Sequence, residues 1–99
     1  MTIDPNQLEV KNNPEAKRFE IVLDDKIALV EYMIAGKNMI FTHTEVPPEF
    51  EGMGVANKMA QVALDYAVSE GYKIQAVCPF ISLYVQKHPE YQPITWGYF

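Results

Sequence analysis

Thr44-Glu-Val-Pro-Pro-Glu-Phe-Glu-Gly-Met-Gly-Val-Ala56 is the stretch on which the fold turns. An apolar strand runs into Pro47 and Pro48 and must stop there, because proline cannot donate to a β-ladder. Gly52 and Gly54 then allow a sharp turn and let a ligand come close to the backbone. From Val55 to Glu70 the period changes. Apolar residues fall at 55, 56, 59, 60, 63, 64, 67 and 68, one helical face, with Asn57, Lys58, Gln61 and Asp65 opposite. A helix that opens directly out of a glycine loop offers unpaired N–H groups and the positive end of its dipole. The stretch therefore predicts an anion cradle, with a pyrophosphate as its natural occupant.

Upstream, Arg18–Leu23, Lys26–Ala35 and Met39–Val46 read as strands. Asp24-Asp25 and Gly36-Lys37-Asn38 are turn signals, and the short spacings leave no room for a crossover, so these strands form an antiparallel meander. Residues 1–16 are polar, with prolines at 5 and 14, and read as a loose lead-in to a single domain over 17–99. Downstream, Gly71 suits a helix end and Lys73–Val77 a short strand. The strand–helix–strand order implies a right-handed crossover and parallel pairing. Pro79 suits the first turn of a second helix over Phe80–Lys87, which His88-Pro89 ends. Ile94–Phe99 is an aromatic tail, an edge strand or a cover for the core. The chain thus reads βββ-α-β-α, an α+β (α/β-like) fold with two helices on a mixed, mainly antiparallel sheet.

Ninety-nine residues, 48% of them apolar, suit one small domain with a thin core. The net charge of −5 disfavours nucleic acid, since no basic patch is present to displace counterions. One cysteine cannot close an internal disulfide, which fits a reducing compartment. The N-terminus lacks the pattern of a signal peptide, and no apolar run reaches the ~20 residues of a membrane span. A cytoplasmic location, no membrane partner, no metal and a monomer or weak dimer are the expectations.

Glu51-Gly-Met-Gly-Val-Ala56 resembles the Arg/Gln-x-x-Gly-x-Gly/Ala signature of the GCN5-related N-acetyltransferases, the GNAT superfamily. His43-Thr-Glu-Val-Pro47, Cys78-Pro-Phe80 and Lys87-His-Pro-Glu-Tyr91 resemble its short YjdJ-type branch in particular, and the likeness covers about residues 13–91. The resemblance implies a minimal GNAT fold that uses acetyl-CoA to acetylate an amine or protein-lysine acceptor. Backbone N–H groups of Met53, Gly54, Val55, Ala56 and Asn57 would hold the pyrophosphate. The pantetheine arm would lie between the strands ending at Val46 and Val77, where Glu45, Val46 and Cys78 would lie nearest the thioester. Two departures stand out. Glu51 replaces the usual Arg/Gln, and a carboxylate beside a pyrophosphate is repulsive unless it points away. Lys58 could offset it. The superfamily's helices between the first two strands are also missing, so the acceptor side should be open, as a large partner would need.

Four residues are candidates for the chemistry. Cys78 falls where a strand ends and a helix begins, a place that favours thiolate, so it could take an acetyl group and pass it on. A free cysteine is equally a small buried hydrophobe. His43 and Glu45, two apart on a strand, face the same way and could act as general base and orienter, or be a solvated pair. Tyr84 matches the Leu-Tyr context in which the superfamily protonates the leaving thiolate, or it is a core aromatic. His88 could bind phosphate but better suits a helix cap. A non-catalytic CoA-binding or interaction module is the alternative function. A P-loop is excluded, because no Gly-Lys-Ser/Thr ends the loop.

Overall fold

A computed structural model of the chain describes residues 8–23, 25–50 and 52–96. Its sheet has the order β1-β2-β3-β4-β5, with β1 Lys11–Asn13, β2 Arg18–Leu23, β3 Lys26–Ala35, β4 Asn38–Glu45 and β5 Lys73–Ala76. The first four are antiparallel neighbours, and β5 lies parallel to β4. The expected mixed sheet is present, with one strand more than the sequence suggested. Lys11-Asn12-Asn13 carries no apolar alternation, so nothing local marks it as a strand. It forms because β2 offers an edge: Asn13 Nδ2 donates to Glu20 Oε1 at 3.0 Å, and the Tyr32 hydroxyl reaches Asn12 Oδ1 at 2.7 Å. Order in the lead-in extends to Leu8, which is buried.

Helix α1 (Val55–Ser69) buries Val55, Met59, Ala60, Ala63, Leu64 and Ala67, the face its periodicity announced; Val68 falls off that face and is exposed. Its end is closed by two hydrogen bonds, from the Gly71 N–H to the Val68 carbonyl and from the Tyr72 N–H to the Ala67 carbonyl. That pairing satisfies carbonyls the helix leaves open. Helix α2 (Pro79–Lys87) begins at a proline with Cys78 as its N-cap residue. Short 3₁₀ turns follow β4 (Pro48–Phe50) and α2 (Pro89–Ile94). Beyond the second turn, Thr95 bridges Ile74 and the Trp96 N–H donates to the Ile74 carbonyl at 2.8 Å. The tail therefore edges β5; residues 97–99 lie outside the described residues, as does the Asp24 half of the β2–β3 turn.

The core lies between the sheet and the helices. Phe19, Ile21, Val30, Met39 and Phe41 from the strands meet Met59, Leu64, Ile81 and Val85 from the helices, all essentially without solvent contact. A bulge interrupts this pattern. Tyr32 pairs with Phe41 but Glu31 pairs with His43, so Thr42 is an extra residue on β4. Before it, Met39 and Phe41 face the helices. After it, Thr44, paired with the buried Val30, faces them, while His43 and Glu45 turn to the other side.

Candidate active site

Between the end of β4 and the start of α1 the chain leaves a cleft of about 290 Å³, lined by Val46, Phe50, Gly52, Gly54, Val55, Ala56, Asn57 and Phe80. Gly54 sits in the left-handed region at φ 70° and starts α1 with no side chain capping it. The first N–H groups of a helix have no partner within it. Those of Val55, Ala56 and Asn57 therefore carry the positive end of the dipole at the cleft. Phe50, buried beneath the loop, fixes its path: the Phe50 N–H donates to the Pro47 carbonyl at 3.0 Å, and the Met53 N–H to the Phe50 carbonyl at 3.3 Å.

These contacts correct two expected ligands. The Met53 N–H is engaged by Phe50 and the residue does not line the cleft. Lys58 is turned away, its ammonium donating to the Leu8 carbonyl, so it places no charge on the cleft. Residue Glu51 lies outside the described residues. Phe50 and Phe80 were missed because loop and helix-start aromatics follow no period that would reveal them.

Next to the cleft, β4 and β5 part. Their pairing stops at Phe41 opposite Ala76, and both the Val77 and Cys78 N–H groups turn back to the Phe41 carbonyl, at 3.0 and 2.9 Å. β4 continues past β5 through Glu45, still paired with β3. Inside this divergence Thr44 Oγ1 lies 3.2 Å from Cys78 Sγ. Cys78 is only 4% exposed. His43 Nε2 and Glu45 Oε2 are 3.5 Å apart, as their spacing implied, but the bulge puts them across β4 from Cys78.

Tyr84 joins neither group. Its ring stacks on His88 at 3.8 Å between centroids and lies 6.2 Å from Tyr91. Burial pushes its hydroxyl above the ordinary 10, and the Asp65 and Glu90 carboxylates add to the shift. His88 is the C-cap of α2, with Nδ1 2.7 Å from the Tyr84 carbonyl, so the capping role holds. Among the described residues no group of three His, Cys, Asp or Glu side chains is placed to hold a metal ion, and no helix is long and apolar enough to cross a membrane.

A profile of the family described as GCN5-related N-acetyl-transferase matches residues 18–94. The chain belongs to the GCN5-related N-acetyltransferases. Among its relatives, the NATD1 protein of Xenopus tropicalis is 30% identical over 92 residues, covering 89% of this chain and 84% of that one. Human NATD1 is 33% identical over 87 residues, 83% of this chain and 75% of that protein. A GCN5-like protein of Staphylococcus aureus, solved in solution by NMR, superposes with a TM-score of 0.72 at 28% identity, covering 91% of this chain and 89% of its own. For this GCN5-related chain, membership supports an acetyltransferase-like function and a fold of the same kind.

Proposed function

We propose that this chain is an acetyl-CoA-dependent N-acetyltransferase whose acceptor is an amine on a large partner, such as a protein lysine. One observation carries the reading: the uncapped start of α1 behind Gly54 opens on a cleft that is also lined by Val46, the residue after β4, a strand that has run past β5. The donors suit a pyrophosphate, since backbone N–H groups and a helix dipole favour an anion and no side-chain cap competes. An anion at such a terminus gains about 0.3–1 kcal/mol from the dipole alone. Beyond Phe41, the β5-facing edge of β4 is free to pair with an extended arm as a strand would. When bound, acetyl-CoA supplies an activated acetyl thioester.

The chain's own residues then divide by face. Cys78 beside Thr44 would take the acetyl group as a thioester, its S–C bond forming as the acetyl–CoA thioester bond breaks and its proton passing to the departing CoA sulfur, with the Thr44 hydroxyl able to donate to the Cys78 sulfur as that proton leaves. His43, 3.5 Å from Glu45, would take a proton from an ammonium arriving on the open side. No direct proton transfer joins the two, because β4 stands between them. Isothermal titration with acetyl-CoA tests the binding half; no saturable heat at millimolar ligand would sink the proposal. Cys78→Ala separates the routes. Loss of turnover with binding retained supports transfer through the sulfur, and an unchanged rate leaves direct attack by the amine. A second reading, a CoA-binding module without turnover, draws on the 4% exposure of Cys78. It requires acetyl-CoA binding with no product over a panel of amines and basic peptides.

A further inference from the structure

The first turn of α1 carries the donors of the cleft, yet little of its own sequence holds it. Gly52 and Gly54 bring no side chain, no side chain caps the helix, and no acidic residue stands in its first turn. Val55 and Met59 seat the inner side in the core, while Asn57 and Lys58 are exposed. Among the described residues, one side-chain hydrogen bond ties this turn to another part of the chain. The Lys58 ammonium donates to the Leu8 carbonyl, 50 positions away. A cation in a first turn opposes the helix dipole, so Lys58 gains nothing there from its own helix. What it gains is Leu8, and Leu8 is well anchored. Its side chain is 3% exposed within the core, and Val10 packs against the same cluster. Beyond it β1 pairs with β2, Asn13 holds Glu20, and the Tyr32 hydroxyl holds Asn12. This segment lies ahead of residues 18–94, which carry the family match.

We propose that Lys58 is a positioning residue for the cleft: by holding the Leu8 carbonyl it braces the first turn of α1, so that the N–H groups of Val55, Ala56 and Asn57 stay aimed at an anion. Lys58 touches no ligand in this role, and residues 8–13 support the cleft from outside it. The physical basis is preorganisation. Donors fixed before a ligand arrives need not be ordered by it, and that ordering otherwise comes off the affinity. The ceiling is the free energy of one hydrogen bond, because the brace can shift binding by no more than its own contact contributes. That the anion is the pyrophosphate of acetyl-CoA rests on the transferase reading; the brace needs only an anion at the helix start.

Calorimetry with acetyl-CoA and, separately, with inorganic pyrophosphate tests this on the full-length parent, Lys58→Met, Leu8→Ala and the double variant. Leu8→Ala frees residue 8 from its seat and takes the carbonyl away from Lys58. Each single change should weaken binding about two- to tenfold. The cycle is decisive, since losses from the charge at residue 58 or from the core at residue 8 occur in both backgrounds and cancel. Leu8→Ala should therefore cost affinity in the parent and almost none in the Lys58→Met background. Leu8→Met, which keeps the seat filled, should recover the parent's affinity. In the unliganded proteins, ¹⁵N relaxation should show the Val55, Ala56 and Asn57 amides loosened by either single change, with the middle of α1 unaffected. Thermal melting checks folding, and where Leu8→Ala is unfolded the relaxation of Lys58→Met decides. Equal losses for Leu8→Ala in both backgrounds, or first-turn amides as rigid as the parent's, overturn the proposal. No binding of either ligand overturns it together with the transferase reading. Pyrophosphate bound and acetyl-CoA refused, with the cycle intact, fails only that reading.

Discussion

The extra residue at Thr42 divides the chemistry of a single strand between two faces. That His43 and Glu45 share a side was legible from their spacing. Which side was not, because a bulge leaves no mark in Phe41-Thr-His-Thr44 and is imposed by the pairing with β3. Thr44 went unnoticed for the same reason. Without the bulge it would point away from Cys78. Tyr84 shows a second limit: a matching dipeptide fixes a position on a helix, and the neighbours decide where the ring goes. Those neighbours suggest a measurement at Tyr91. Its hydroxyl donates to Asp65 Oδ1 at 2.6 Å, and burial, then the Asp65 bond and charge, push its pKa above the ordinary 10. A folded-state value raised in this way adds stability that is fully present below pH 10 and is lost as pH climbs through the raised value. Tyr91→Phe should cost roughly 1 kcal/mol at neutral pH, because Asp65 is exposed and regains water. It should also flatten the loss of stability above pH 10. Thermal melts of both proteins from pH 7 to about 11 report both effects.

At the level of elements, the strongly periodic segments were readable to the residue. β2, β3 and the start of α1 fall where the alternation and the glycine loop put them. β1 was not readable, since its polar residues gain order only from the edge they join. The start of α1 holds the next prediction. A Cβ added at Gly54 meets nothing within 4 Å, so the cost of Gly54→Ala is the left-handed backbone alone. That is about 1–2 kcal/mol, and relaxation towards an ordinary φ would re-aim the N–H groups behind it. Acetyl-CoA affinity should therefore fall more than stability does, while Gly54→Asn, which tolerates the left-handed region, should keep most of both. Calorimetry read against melting temperature distinguishes the outcomes. If the two fall in proportion, the loop is only a turn.

The described residues form two layers, and the radius of gyration of 13.3 Å is that of a compact chain of this length. The sequence announced the second layer, since α1 and α2 each show one apolar face. It could not announce that, among the described residues, no third layer follows. Strands with a half-polar outer face look alike whether water or a partner covers them. A domain of this size has about 5–15 kcal/mol of stability in hand, and truncating one fully buried phenylalanine such as Phe41 removes 3–5 of it. Phe41 also accepts from Val77 and Cys78, so core and cleft depend on the same residue.

The spatial order of the strands is their order along the chain. β1 to β4 close through short, local connections, which form early in folding. β5 alone must wait for α1 to cross over, and it is sealed by a single Thr95 bridge and the Trp96 contacts to Ile74 and Asn38. The gap beside Cys78 thus depends on the strand whose pairing spans the longest connection. A ligand lying in it would do the work of a missing strand and hold β5 in place. Hydrogen exchange should show β5 and residues 95–96 opening more readily than β2–β3, and acetyl-CoA should slow exchange there most. Uniform slowing over the sheet would mean that the edge and the body unfold as one.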